Sequence, residues 1–241
     1  MRNIWWILRR DFASYLASPM GYIILTVTLA LHGLLFNTMV VGSGNMLSEE
    51  VLERFFFWSG GINATASVFV AMRLIAEERQ LGTLTLISTS PVRDHQFVLG
   101  KFLSGLSFIG VLTALTLYLP ALIFINGKVS LAHLVAGYLG MMLFAGAALA
   151  LCLMTSAFAP NQLVALVLGA GVVLLFILFW FIARVASPPF DDLIAYLSLH
   201  DKHYRPFMRG LVSLQDVVFY LSLIFVALVV TTRVVEARRW Q

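Results

Sequence analysis

Side chains able to do chemistry are few in this 241-residue chain, and they gather in a handful of places. Adjacent carboxylates, Glu77 and Glu78, open a charged stretch at 73–101 that closes on Gly100 and Lys101. His200, Asp201 and His203 form an H-D-x-H run with the residue types that bind zinc. Two histidines and one acid still lack the further ligands and supporting contacts of a metal site, so no metal is expected there. His32 stands alone in an apolar run, where a helix-contact role fits better than proton transfer. Gly100-Lys101 has the glycine–lysine pair of a phosphate-binding loop, but Phe102 stands where Ser or Thr must hold magnesium, and His95 where the first glycine belongs. The chain therefore has no P-loop of its own, and nucleotide energy, if used, must arrive through a partner. No Ser-His, Asp-Asp or H-E-x-x-H constellation marks a protease. Cys152 is the single cysteine, so no intrachain disulfide forms.

The elements that position these residues follow from composition. Sixty per cent of the chain is hydrophobic and 12% charged, with a mean hydropathy of +0.91. A soluble domain carries about twice that charge, so an ordinary water-soluble enzyme is excluded. Six segments, 20–41, 55–72, 102–125, 134–155, 163–183 and 217–235, are long and apolar enough to cross a hydrocarbon core about 30 Å thick as helices. They contain no Asp, Glu or Lys, which argues against an ion-coupled transporter with its intramembrane carboxylates. Apolar runs of this length also exclude a β fold. The fourth segment is rich in small residues, from Gly137 and Gly140 to Gly146, Ala147, Ala148 and Ala150, suited to close helix packing or to a dimer seam.

Lys and Arg set the orientation. Arg2, Arg9, Arg10, Arg73, Arg79, Arg93, Lys101, Arg233, Arg238 and Arg239 fall on one side; Arg54, Lys128, Arg184, Lys202, Arg205 and Arg209 fall on the other. The positive-inside rule then places both termini in the cytoplasm. The net charge of only +4 sits at span edges, so it reports on the membrane rather than on nucleic acid. The N-terminal apolar run is too long for a cleaved signal and is expected to be retained.

Three segments are not spans. Residues 1–18 place Trp5, Leu8, Phe12, Tyr15 and Leu16 on one helical arc, as in a helix lying in the headgroup interface, before Ser18-Pro19 breaks the pattern. At 73–101, Leu81, Leu84 and Ile87 recur at helical spacing, which predicts a helix from 77 to 89, and Ser90-Pro91 reads as N-cap and first position of the next. At 184–216, Leu193, Ile194, Tyr196, Leu197 and Leu199 are too apolar for a free loop, which predicts a re-entrant helical hairpin.

The run A-E-E-R-Q-L-G-T-L-T-L-I-S-T-S-P-V, with G-K at 100–101, resembles the E-E-x-x-x-G-T-L … S-P-V … G-K signature of ABC-2 type permeases. Its matching residues are Glu77, Glu78, Gly82, Thr83, Leu84, Ser90, Pro91, Val92, Gly100 and Lys101; Thr85 stands where the pattern often has a third acid. D-F-x-x-Y-L-x-S-P-M-G-Y from Asp11 to Tyr22 is similar to the family's elbow helix and first span. The signature is that of the group holding the gliding-motility-associated (GldF-like) and nitrous-oxide-reductase-maturation (NosY-like) permeases, and the stretch from Tyr196 to Ser222 is similar to the outer segment and sixth span of the GldF-like branch.

The resemblance implies an all-α membrane protein with a six-helix, type V exporter-like permease fold in one transmembrane domain. Residues 1–18 would be the elbow, 73–101 the cytoplasmic coupling segment and 184–216 a re-entrant outer segment. The implied ATPase-coupling interface comprises Glu77, Glu78, Leu81, Gly82, Thr83, Leu84, Ile87, Ser90 and Pro91, together with Arg9, Arg10 and Asp11 of the elbow. Tyr196, His200, Phe207, Arg209 and Gly210 would form the outer gate. The implied partners are a cytoplasmic ABC ATPase that holds ATP and Mg, a second permease, and a membrane-anchored protein with a large extracytoplasmic domain. The implied setting is a bacterial inner membrane, and this chain would bind no cofactor. A non-transporting scaffold or signalling subunit of the same fold is the alternative.

Overall fold

The structure, a computed structural model, describes residues 2–38, 48–83, 92–126, 130–187 and 190–238, and every regular element among them is helical. α1 (Arg2–Ala17) ends at Ser18, whose Oγ caps α2 (Pro19–Phe36) by accepting from Gly21 N at 3.2 Å. α3 (Ser48–Leu74) continues after a break at Ile75 into α4 (Ala76–Gln80). α5 (Asp94–Leu115) and α6 (Tyr118–Asn126) follow, then α7 (Leu131–Phe158) and α8 (Gln162–Val185), the latter capped by Asn161 Oδ1 on Val164 N. α9 (Phe190–Leu197) and the single turn α10 (Arg205–Met208) lead into α11 (Leu214–Arg238).

Six units are long and apolar enough to cross a membrane: α2, α3–α4, α5–α6, α7, α8 and α11. All six segments expected from sequence are among them. Most run past the expected edges; the 27 residues of α3 span about 40 Å at 1.5 Å each, so its ends project beyond the hydrocarbon. In α3–α4 and α7, 67% of the most apolar window is buried, against 28% in α2, 22% in α11 and 17% in α8. The first two are therefore the core, and the last three present most of their surface outward. α7 owes its position to small residues: a Cβ at Gly137 would meet the Phe56 ring at 2.1 Å, and one at Gly140 would meet Phe207 Cβ at 2.3 Å. Its glycine face is used within the chain rather than as a dimer seam.

Three boundaries differ from the sequence expectation. The segment 102–125 is two helices, broken at Thr116–Leu117, because Pro120 lacks an N–H and its ring collides with the carbonyl one turn earlier. The helix expected to start at Pro91 begins instead at Asp94, with Arg93 as an extended cap and the Asp94 carboxylate at the positive end of the helix dipole. The helix expected over 77–89 is interrupted after Gln80: Leu81 and Gly82 form a turn in which Gly82 takes φ +72°, a conformation that side chains disfavour, and Thr83 is helical again. Leu84, Ile87, Ser90 and Pro91 lie outside the described residues.

One end of the bundle carries α1, α4 and the last turn of α11. Arg79 donates to Ala159 O at 2.9 Å and Arg238 to Phe158 O at 3.0 Å, so both tie to the end of α7. The break at Ile75 is satisfied there as well, because Ser156 Oγ accepts from Ala76 N at 3.0 Å. At the far end, residues 190–213 fold back into the bundle. Leu199 N donates to Phe176 O, nine residues inside the end of α8, which is a depth of about 13 Å.

Candidate functional site

The densest charge constellation lies where α1, α4 and the start of α5 meet. α1 approaches α5 closely because position 100 is glycine: a Cβ there would sit 2.8 Å from the Ile7 side chain. The inward face of α1 is the Ile4, Ile7, Asp11, Tyr15 stripe, while Trp5 and Trp6 point out, 59% and 58% exposed. Neighbouring Lys101 is buried, its side chain 5% exposed, with Nζ 2.9 Å from Asp11 Oδ2 and 2.7 Å from Glu78 Oε1. Arg10 completes a ring, Nε to Asp11 Oδ1 at 2.9 Å and Nη2 to Glu78 Oε1 at 2.8 Å. Thr83 Oγ1 donates to the other Glu78 oxygen at 2.6 Å. Two acids and two bases thus cancel, and the buried ammonium has the pairing that a desolvated charge requires. Burial disfavours the Arg10 charge, but Asp11 and Glu78 outweigh it and hold the guanidinium above its ordinary pKa.

Beside this ring Arg73 donates to both Glu77 oxygens, at 2.8 and 2.9 Å, and reaches Ser18 Oγ at 3.3 Å. Its guanidinium stands 5.8 Å from the centre of the Tyr15 ring, and Tyr15 Oη donates to Val70 O at 2.9 Å. Ring and clamp together line a cleft of about 470 Å³ that opens at the terminal end. Among the described residues of the expected coupling interface, Glu78 and Asp11 are turned inward and occupied by the chain itself. Arg9, Gly82 and Leu81 are exposed, Leu81 at 70%.

At the far end the expected gate residues come together around α7 and α11. Phe207 seats on Gly140, Gly210 takes φ +78° beside His133, and Arg209 Nε pairs with Glu53 at 3.0 Å. His200 is enclosed by Phe57, Phe144 and Tyr204, with centroids 4.8 to 5.9 Å apart. Tyr196 packs edge-on against His203 at 5.0 Å. His203, 1% exposed, sits 2.7 Å from Asp216 Oδ1 through Nδ1 and 2.9 Å from Tyr196 O through Nε2, and stacks on Phe219 at 3.8 Å. Both ring nitrogens are committed to packing the segment, so H-D-x-H is a structural knot. Among the described residues no group of three metal-ligating side chains converges.

A family model for ABC-2 type transporters matches residues 2–199, from α1 through the turn that follows α9. The chain belongs to the ABC-2 transporter family. No curated protein matches it. As an ABC-2 permease it is the membrane component of an ABC transporter and a multi-pass membrane protein, of a family that generally works with a cytoplasmic ATPase subunit.

Sequence reasoning missed the permease residues that complete the site. Lys101 reads as the end of a motif rather than as the buried hub of the ring; its signal was the preceding glycine, which marks a close approach. Arg73 and Tyr15 read as a span edge and an interfacial aromatic. The i,i+4 spacing of Arg73 and Glu77 was available as a pairing signal.

Proposed function

We propose that this permease couples ATP hydrolysis by a separate cytoplasmic ATPase to substrate translocation or to mechanical work across a bacterial inner membrane. In this reading both termini lie in the cytoplasm, a second permease completes the membrane unit, and ATP and Mg reside in the partner. The end of the sequence likens the chain to the GldF-like and NosY-like group, which adds a partner with a large extracytoplasmic domain. One observation carries the reading: Lys101 between Asp11 and Glu78 joins α1, α4 and α5 into one rigid corner, with Leu81 exposed at its tip. A push on that tip moves the elbow and the second and third spans together, as a lever must, and biases the bundle between two packed arrangements.

The test is Leu81→Asp in the purified complex. Loss of an exposed apolar anchor should weaken ATPase capture about thirtyfold, the scale of one interface hot spot, while the permease still inserts in the membrane. Unchanged capture and unchanged ATPase stimulation would refute the lever. A permease that never captures an ATP-binding subunit would instead support the scaffold.

A further inference from the structure

A second cavity, unrelated to the ionic ring, runs along the outside of the bundle between α2 and α3. Its volume is about 580 Å³, and on α2 it extends from Met20 to Leu35, about 22 Å at 1.5 Å per residue. Val27, Leu31, Ile62 and Phe69 make its walls apolar, and the hydroxyl of Thr28 is turned back onto Ile24 O. At the far end the groove adjoins a small pouch through the shared residues Leu35, Trp58 and Ile62; the pouch is lined by His32 and Arg54 and has room for about one water-sized group.

His32 is 1% exposed, and its Nδ1 lies 2.8 Å from Thr28 O. A carbonyl only accepts, so Nδ1 carries the hydrogen and Nε2 is left as a lone-pair acceptor. Nε2 has no partner. A buried acceptor without a donor is rare in a folded protein and points to a group that the site is shaped to receive. Arg54 is exposed and forms no ion pair among the described residues. The structure thus holds a long apolar trough, a cation at its far mouth, and one unsatisfied acceptor behind that cation.

We propose that this groove binds an acidic phospholipid, with an acyl chain along α2, the phosphate at Arg54 and a head-group hydroxyl donating to His32 Nε2. A helix from a second copy of the chain would fill the trough with aliphatic side chains and leave both polar groups unanswered. A zwitterionic choline lipid offers no donor to Nε2 and sets its own cation against Arg54. Phosphatidylglycerol offers both the anion and the hydroxyl. The inference does not depend on ATPase coupling, because binding is read on the permease alone.

The experiment is lipid retention by the full purified chain, followed by native mass spectrometry, with three probes: phosphatidylglycerol, phosphatidylmethanol and phosphatidylcholine. Phosphatidylmethanol keeps the anion and lacks the hydroxyl. Phosphatidylglycerol should be retained about tenfold over phosphatidylcholine, the effect of one charge-assisted contact, with phosphatidylmethanol between them. His32→Leu should lower phosphatidylglycerol to the phosphatidylmethanol level and leave phosphatidylmethanol unchanged; Arg54→Gln should lower both acidic lipids. Equal retention of the three lipids by the wild-type chain overturns the proposal without any variant. So does a His32→Leu loss that is the same for both acidic lipids, or displacement of all lipid by a second copy of the chain.

Discussion

Lys101 is buried, its side chain 5% exposed, between two carboxylates on two different helices. Replacing it by Met removes the cation and leaves Asp11 and Glu78 facing each other with only Arg10 to share. The expected loss is about 3–5 kcal/mol, the cost of breaking a buried pair, and it should appear as faster amide exchange in α1 with the spans unaffected. A double-mutant cycle with Glu78→Gln should recover part of that loss, and strict additivity would show that the pair does not act as one unit. His200 makes the opposite kind of prediction. Burial is the main influence and lowers its pKa; Asp201 pushes it up and Arg205 down. Because the folded value lies below the unfolded value of about 6.5, protonation favours the unfolded segment. The His200 contribution is therefore full above that value and is lost as pH falls below it. Amide protection across 198–210, corrected for the pH dependence of intrinsic exchange, should fall between pH 7.5 and 5, and His200→Phe should remove its share of that change; an unaltered profile would refute the assignment.

At the scale of elements, the six spans were legible because lipid leaves a chain few alternatives: runs that long and that apolar must be helices. The caps at Ser18 and Asn161 satisfy the same logic, since a side-chain oxygen is the cheapest partner for an orphan N–H. What sequence could not show was where helices stop inside a continuous apolar pattern. Leu81, Leu84 and Ile87 keep helical spacing, yet the backbone turns at Gly82, because a residue free to take positive φ ends a helix whatever its neighbours' period. Pro120 likewise divides a span that hydropathy reads as one. The candidate site was half legible. Its motif residues were evident, but which of them face inward depends on α1 folding beneath α5, and that contact links residues far apart in sequence. Glu78 thus reads as a surface acid and proves to be an interior one.

For the whole molecule, the division of burial has a direct reading. α3 and α7 form the spine, whereas α2, α8 and α11 are open and turn most of their apolar surface outward, toward the bilayer. Orientation is testable at this scale. A fluorescent reporter fused after Gln241 should fold and emit in the cytoplasm, and a phosphatase inserted after Ser187 should be active on the opposite side; the reverse pattern would invert the arrangement and sink the lever. The segment 190–213 is held by cross-ties to helix and turn carbonyls, with Tyr204 Oη on Phe56 O at 2.8 Å, Tyr220 Oη on Leu199 O at 2.6 Å and Leu199 N on Phe176 O at 3.2 Å. All three acceptors are backbone carbonyls, so substitutions at Phe56, Leu199 or Phe176 leave them in place, and the tyrosine ties can be cut only from the donor side.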